Sequence, residues 1–311
     1  MKEQLSVIKQ IIKDMDLPYL RISLIDICNA KCAFCHNEGQ NKNNISKGLD
    51  SEELFYIADF FKTDFSRVIF TGGEPLLSPL LYESIRIFKS FSYNTGLVTN
   101  GILLDENIQK KLKEAGLDRI NISINSLEKI QYETFYKVDR LDSILKNIET
   151  LPRYIFPSNI KINFIINKFT DFDSETEKFS LLSKEKGFII SALFDIEEKN
   201  SNDFTQKLKR KLHQLYGNPR EEIINKDKRK KYLLYYENSC VWEFDDFRTI
   251  ENSFALKDNL VCQRCPIKDN CQEGAYALRL HFNGTFRPCL KRNDNILNIK
   301  TNNHEEGIDY V

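Results

Sequence analysis

The sequence predicts an α/β protein organised on a parallel sheet, and three features of its pattern carry that expectation. Six apolar runs rich in β-branched residues recur at 19–27, 67–70, 95–98, 119–124, 160–166 and 188–194. Helical or irregular crossovers separate each run from the next, the spacing that parallel strands need. Chemistry-bearing residues fall just past the runs: Cys28 after the first, Gly72 and Gly73 after the second, Thr99 and Asn100 after the third. In such proteins the site gathers at the C-terminal ends of the strands. Periodicity alone fits a partial barrel and an open sheet equally.

An amphipathic helix over about 2–15 precedes the first run. A helix at 51–61 leads to strand 67–70, which ends in Thr71-Gly72-Gly73. Ser78 as N-cap and Pro79 at the first helical position predict a helix over 79–90. Strand 95–98 runs into the turn pair Asn100-Gly101. Helix 105–115 closes at Gly116, since glycine takes the left-handed conformation of a helix C-cap without penalty. Strand 119–124, helix 141–150, strand 160–166, helix 174–186 ending at Gly187 and strand 188–194 repeat the pattern. Residues 196–238, rich in Lys, Asn, Asp and Glu, read as a solvated helical linking segment, with a patch for phosphate or an acidic substrate as the alternative. Little helical periodicity and five cysteines over 239–311 suit a small lobe organised by metal. The expected division is 1–18 as an N-terminal helix, 19–195 as the α/β unit, 196–238 as the link and 239–311 as the C-terminal lobe.

The 45 basic residues cancel the 45 acidic ones, so no overall field argues for nucleic acid or an anionic membrane as partner. A charged substrate must be met locally. No stretch approaches the roughly 18 to 20 apolar residues of a membrane span, and the opening MKEQLSVIKQIIKDMD lacks the apolar core of a signal peptide, so a cytoplasmic protein is expected. Eight cysteines, at 28, 32, 35, 240, 262, 265, 271 and 289, group in a way that favours metal or cluster ligation over disulfides.

Cys28-x3-Cys32-x2-Cys35 puts three thiols in one loop. Such a loop suits three irons of a cubane cluster, with the fourth iron left open. Zinc with His36 as fourth ligand is the other reading, although the adjacency of Cys35 and His36 strains a tetrahedral site. With aromatic Phe34 before its last cysteine, and a first strand before it, the loop resembles the signature of the radical S-adenosylmethionine superfamily. Thr71-Gly72-Gly73-Glu74-Pro75 is similar to that family's cofactor-binding segment. The resemblance implies a partial (β/α)6 TIM-like barrel with a small C-terminal iron-sulfur lobe, and a [4Fe-4S] cluster on Cys28, Cys32 and Cys35. It implies S-adenosylmethionine against Gly72, Gly73 and Glu74, with Thr99, Asn100, Ser123 and Asn125 where the family places polar contacts to the cofactor. Reductive cleavage of that cofactor to a 5′-deoxyadenosyl radical follows, with a reductant such as flavodoxin or ferredoxin.

Four segments, 20–39, 69–77, 99–127 and 160–167, are similar to stretches of the GTP 3′,8-cyclase family. That likeness implies a second [4Fe-4S] cluster in the C-terminal lobe. Here the run Cys262-x2-Cys265-x5-Cys271-x17-Cys289 has one cysteine more than the cyclase pattern, as in the auxiliary-cluster (SPASM or twitch) lobes of peptide-modifying radical enzymes. Four cysteines can saturate a cubane, and they also suit structural zinc. Over 275–281 only Arg279 remains of the arginines that would clamp a triphosphate, which argues against tight triphosphate binding. Arg21, Lys161 and Arg279 are the candidates for contacting substrate anions, with salt-bridge or solvated roles as the alternative. Cys240 is either a hydrogen-atom donor or a small buried hydrophobe. His36 sits where it can tune the cluster or merely pack, and His213 and His304 read as surface residues. The expected substrate is a nucleotide, with a ribosomally made peptide as the alternative. A non-catalytic iron-sulfur or zinc protein is the third reading, and it has no use for Gly72, Gly73 and Glu74.

Overall fold

The computed structural model describes residues 2–33, 35, 48–167, 169–194, 201–226, 229–237, 240–245, 260–266, 268, 275–290 and 297–300. Helix α1 (Lys2–Met15) opens the chain. The unit that follows comprises β1 (Leu20–Ser23), α2 (Ser51–Phe61), β2 (Arg67–Thr71), α3 (Leu81–Ser90), β3 (Asn94–Thr99), α4 (Glu106–Ala115) and β4 (Arg119–Ser123). It continues with α5 (Lys129–Tyr136), α6 (Leu141–Thr150), β5 (Ile160–Ile166), α7 (Phe172–Lys186) and β6 (Ile189–Phe194). Beyond it lie α8 (Ser201–Tyr216), β7 (Arg220–Lys226), β8 (Arg229–Tyr235), β9 (Val241–Asp245), β10 (Leu278–Leu280), β11 (Thr285–Arg287) and β12 (Leu297–Asn298).

Among the described residues the strands form one sheet in the order β12-β11-β10-β1-β2-β3-β4-β5-β6-β9-β8-β7. β10, β1 to β6 and β9 run parallel, and the strands at both edges are antiparallel. Alternation assigns the two faces. Ile120 and Ile122 of β4 and Ile160, Ile162, Phe164 and Ile166 of β5 are buried with Leu54 and Ile57 of α2, Ile85 and Phe88 of α3, Ile144 of α6 and Phe179 of α7. Each such side chain contributes about 1.5–3 kcal/mol on burial. The opposite face carries Asn121 beside Lys161, Ser123 beside Asn163, Asn163 beside Ser191 and Ser191 beside Glu243. Helices thus cover an apolar outer face, and the inner face mixes these polar side chains with Ile69, Val98, Ile165 and Leu193, which is a partial barrel.

The structure departs from the sequence reading at five places. The first strand, expected over 19–27, ends at Ser23, because the carbonyls of Ile25 and Ile27 turn to accept the amides of Gly73 and Glu74 at 2.7 and 2.8 Å. The helix expected over 79–90 starts at Leu81 with Leu80 at its N-cap. Ser78 instead ends a 3-10 turn, Pro75–Leu77, that Glu74 caps through the Leu76 amide. α5 was not expected, and its N-cap, Glu128, makes no side-chain capping bond that a sequence could announce. The charged link is helical only through α8, after which β7 and β8 pair as an antiparallel hairpin and β8 joins β9. Leu234 and Trp242, fully buried and paired across those strands, draw the hairpin into the core. At the other edge β10 lies parallel to β1, and its Leu278 and Leu280 are buried in the common core, so this part of 239–311 is held by apolar packing as well.

Candidate active site

The loop after β1 carries Cys28, Cys32 and Cys35, with Cys28 and Cys35 exposed and Cys32 half-buried. Phe34 and His36 lie outside the described residues. Two supports hold the loop in place. The last turn of α5 accepts the amides of Lys31 and Ala33 at the carbonyls of Tyr136 and Phe135, at 3.1 and 2.9 Å. On the other side stands the segment after β2. Gly72 has φ +154°, and a Cβ on Gly73 would meet the Asp26 carbonyl oxygen at 2.8 Å and collide with that of Ile27. Only glycine permits this approach. The amides of Gly73 and Glu74 are committed to the carbonyls of Ile25 and Ile27.

Glu74 is a buried clamp between strand ends. One carboxylate oxygen accepts from the Thr99 hydroxyl at 2.6 Å and the Leu76 amide at 3.1 Å, and the other accepts from the Asn100 amide at 2.9 Å. Burial pushes its pKa up, against those hydrogen bonds. Asn100 carries the connection to the cysteine loop: its side-chain amide donates to Asn29 Oδ1 at 2.7 Å and approaches Cys28 Sγ at 3.8 Å. Ser123 gives its carbonyl to the Tyr136 hydroxyl at 2.8 Å. Asn125 accepts the Ile165 amide at 3.3 Å, while its buried Nδ2 has no hydrogen-bond partner among the described residues. Cys28, Gly72, Gly73, Glu74, Thr99, Asn100, Ser123 and Asn125 thus all lie at the C-terminal ends of β1 to β4.

Electrostatics distinguishes the cysteines. Burial, with Cys35 and Cys28 next, pushes the Cys32 thiol up to about 12. The Cys28 thiol is also raised, again by burial first and then by Glu74 and Cys35. Three thiolates so close need a cationic centre to coexist. Among the described residues no three His, Cys, Asp or Glu side chains converge as ligands of a single metal ion would. A cubane makes a different demand, because its cysteines bind different irons.

A family model described as the radical SAM superfamily matches residues 22–179, half of the chain. The chain belongs to the radical SAM superfamily. Radical SAM enzymes use S-adenosylmethionine and a [4Fe-4S] cluster, so this protein is an enzyme of that class. A probable GTP 3′,8-cyclase from Pyrococcus abyssi is 29% identical over 291 residues, covering 90% of this chain and 87% of the relative. Another, from Saccharolobus islandicus, is 30% identical over 283 residues, covering 90% and 85%. Among solved structures, Streptococcus suis SuiB superposes with a TM-score of 0.64 at 14% identity, taking in 96% of this chain but only 66% of SuiB. At that identity the likeness is one of fold.

The residues present fit both radical SAM groups. Three cysteines in one loop match a cluster with an open iron, and the orphaned Nδ2 of Asn125 is a donor in need of an acceptor. The charged residues of the strands are informative too. Across β1 to β6, β10 and β11 they are Arg21, Arg67, Arg119, Lys161, Arg279 and Arg287, six cations with no carboxylate. Arg279 pairs with Arg21 on one side and with Arg287 on the other, so three guanidinium groups stand on neighbouring strands. Arg279 and Arg287 are 2% and 3% exposed. Burial, and then Arg279 itself, lower the pKa of Arg287. Arg279 also lies 4.9 Å over the Tyr276 ring. Arg279 is the one arginine of 275–281, and the β10–β11 register sets Arg287 beside it. Arg287 was missed because it lies outside 275–281, although it precedes Cys289 by two positions and pairs across a tight Gly284 turn.

Lys161 is not a solvated strand-start residue. It forms an ion pair with Glu243, which also holds Lys231 at 3.1 Å. Cys240 is fully buried and precedes β9, at the end of the sheet opposite the cysteine loop. There Ser180, Ser183 and Trp242 surround its thiol, which places it among buried core groups. Cys262 and Cys289 are buried and Cys265 is half-buried, with the Cys265 amide donating to the Cys262 carbonyl at 3.1 Å. Cys271 and His304 lie outside the described residues. Among the described residues no helix is long and apolar enough to cross a membrane.

Proposed function

We propose that this radical SAM enzyme acts on an anionic nucleotide, and that GTP is the substrate to test first. The observation that supports the reading is the row of Arg21, Arg279 and Arg287, which the strand register sets side by side on β1, β10 and β11. A net charge of zero over the whole chain makes that local excess meaningful. Arg21, Arg279 and Arg287 form the anion clamp, because guanidinium forks match phosphate oxygens. Lys161, oriented by Glu243, adds a further positive group on the same face. The likeness to probable GTP 3′,8-cyclases over 90% of the chain points to the same substrate class.

In this reading Cys28, Cys32 and Cys35 hold the cluster. Gly72, Gly73, Glu74, Thr99, Asn100, Ser123 and Asn125 build the S-adenosylmethionine site. When bound, the two groups together supply a 5′-deoxyadenosyl radical that takes a hydrogen atom from the substrate. The chain's own part is positioning. Gly72 and Gly73 admit the cysteine loop, Glu74 locks the ends of β2 and β3, and Asn100 orients Asn29 beside Cys28. Cys262, Cys265 and Cys289, with Cys271, hold a second cluster in the C-terminal part, and a flavodoxin- or ferredoxin-type protein supplies the electron.

Anaerobic reconstitution with iron and sulfide, then incubation with S-adenosylmethionine, dithionite and GTP, tests all of this. About eight irons per chain is the content of two cubanes, and 5′-deoxyadenosine formed with GTP consumed is the expected result. Deoxyadenosine with GTP untouched would overturn the nucleotide and send the search to peptides; SuiB, whose fold is similar, has been solved bound to the precursor peptide SuiA.

A further inference from the structure

Two tyrosines of α5 stand against the cysteine loop. Tyr132 and Tyr136 stack with ring centroids 4.4 Å apart and 15° between planes. Both rings are buried, Tyr132 completely. Their hydroxyls are treated differently. That of Tyr136 donates to the Ser123 carbonyl at 2.8 Å. That of Tyr132 is buried with no hydrogen-bond partner among the described residues.

An orphaned buried hydroxyl is costly, so its position calls for an acceptor. Cys32 provides the location. Its neighbours Lys31 and Ala33 are bonded to Tyr136 and Phe135, which fixes Cys32 against the last turn of α5. Cys32 packs on the core that contains both rings and lies within electrostatic range of both phenols.

We infer that Tyr132 is a positioning residue for the iron-sulfur cluster, its hydroxyl donating a hydrogen bond to a sulfur of the cluster on the Cys32 side. The inference rests on the reading that Cys28, Cys32 and Cys35 hold that cluster. A donor aimed at cluster sulfur favours the reduced, more negative state and raises the reduction potential. Tyr136, whose hydroxyl is already committed to Ser123, has no such effect.

The test is a redox titration of reconstituted wild type, Tyr132→Phe and Tyr136→Phe, followed by the paramagnetic signal of the reduced cluster that shifts when S-adenosylmethionine is added. That criterion separates it from any second cluster. Both substitutions keep the stacked rings. The expected result is unchanged iron content, a ratio of reduced to oxidised cluster lowered about tenfold at fixed potential in Tyr132→Phe, equal to 59 mV for one electron, and no change in Tyr136→Phe. An unchanged potential in Tyr132→Phe, or an equal shift in both variants, overturns it. Should Tyr132→Phe fail to fold, the wild-type cluster decides alone: an exchangeable proton coupled to the reduced cluster, replaced in heavy water, is expected, and its absence overturns the inference. Loss of iron from the wild-type loop would instead sink the cluster reading, and iron analysis tells the two failures apart.

Discussion

Gly73 donates its amide hydrogen to the Ile25 carbonyl across 2.7 Å, so the segment after β2 holds the start of the cysteine loop by its backbone. A methyl group on Gly73 would strike the Ile27 carbonyl and lie 2.8 Å from that of Asp26, both backbone atoms that cannot swing aside. Gly73→Ala is therefore expected to displace residues 25–28. Overpacking of this kind costs about 1–3 kcal/mol. Thermal unfolding checks the stability, and iron analysis after reconstitution is expected to show the largest loss at the first cluster.

Glu74→Gln tests the clamp. Both carboxylate oxygens accept, one from Asn100 N and the other from Thr99 Oγ1 and Leu76 N. A glutamine in either orientation turns an NH2 group toward at least one backbone donor. Leaving those groups mismatched costs about 1–3 kcal/mol. The Asn100 contact to Asn29 loosens with it, and S-adenosylmethionine binding, read by calorimetry, weakens severalfold while the far-ultraviolet spectrum stays that of an α/β protein.

Much of the architecture was legible because the core strands repeat one simple pattern. β2 to β6 alternate or run apolar between good stop signals, and Gly116 and Gly187 close α4 and α7 in the left-handed conformation as expected. Cys28, Gly72, Gly73, Glu74, Thr99 and Asn100 could be placed together because each follows a strand. What stayed hidden depends on tertiary pairing. The chain from 220 to 235 is dominated by charge, and it is the packing of Tyr232, Leu234 and the adjoining Tyr236 on the core that draws the hairpin in. Arg287 gains its meaning from the register that sets it beside Arg279, a relation between β10 and β11 that no local window contains. Tyr132 read as nothing at all, since its consequence lies in a buried hydroxyl with no hydrogen-bond partner among the described residues.

The arginine row yields a prediction about specificity. Hydrogen bonds between guanidinium and phosphate contribute about 1.5–3 kcal/mol each, so Arg279→Ala and Arg287→Ala are each expected to weaken GTP binding about tenfold or more. S-adenosylmethionine cleavage without GTP should survive, because neither residue lies in the loops after β1 to β4. The two side chains sit on paired strands, and the double variant is expected to lose less than the sum of the single losses. Equilibrium binding of GTP at two salt concentrations checks both statements; affinity that falls with salt in wild type and loses that dependence in the variants marks the contacts as ionic.

Glu243 sets a pH window for stability. Burial alone would raise its pKa, but the ammonium groups of Lys231 and Lys161 outweigh burial and bring it down to about 2 from an ordinary 4.5. A carboxyl depressed in the folded state stabilises the fold fully above the unfolded value, and that contribution is lost as pH falls through the folded one. The loss therefore runs from about 4.5 down to about 2. Glu243→Gln leaves two lysines facing each other in a mostly buried site, and removing one partner of a buried pair costs about 3–5 kcal/mol. At pH 7 the variant is expected to unfold well below wild type in a thermal melt. The gap between the two should close steadily below pH 4.5, because protonation makes wild type resemble the variant. A gap that stayed constant across that range would mean that the three groups are not coupled through charge.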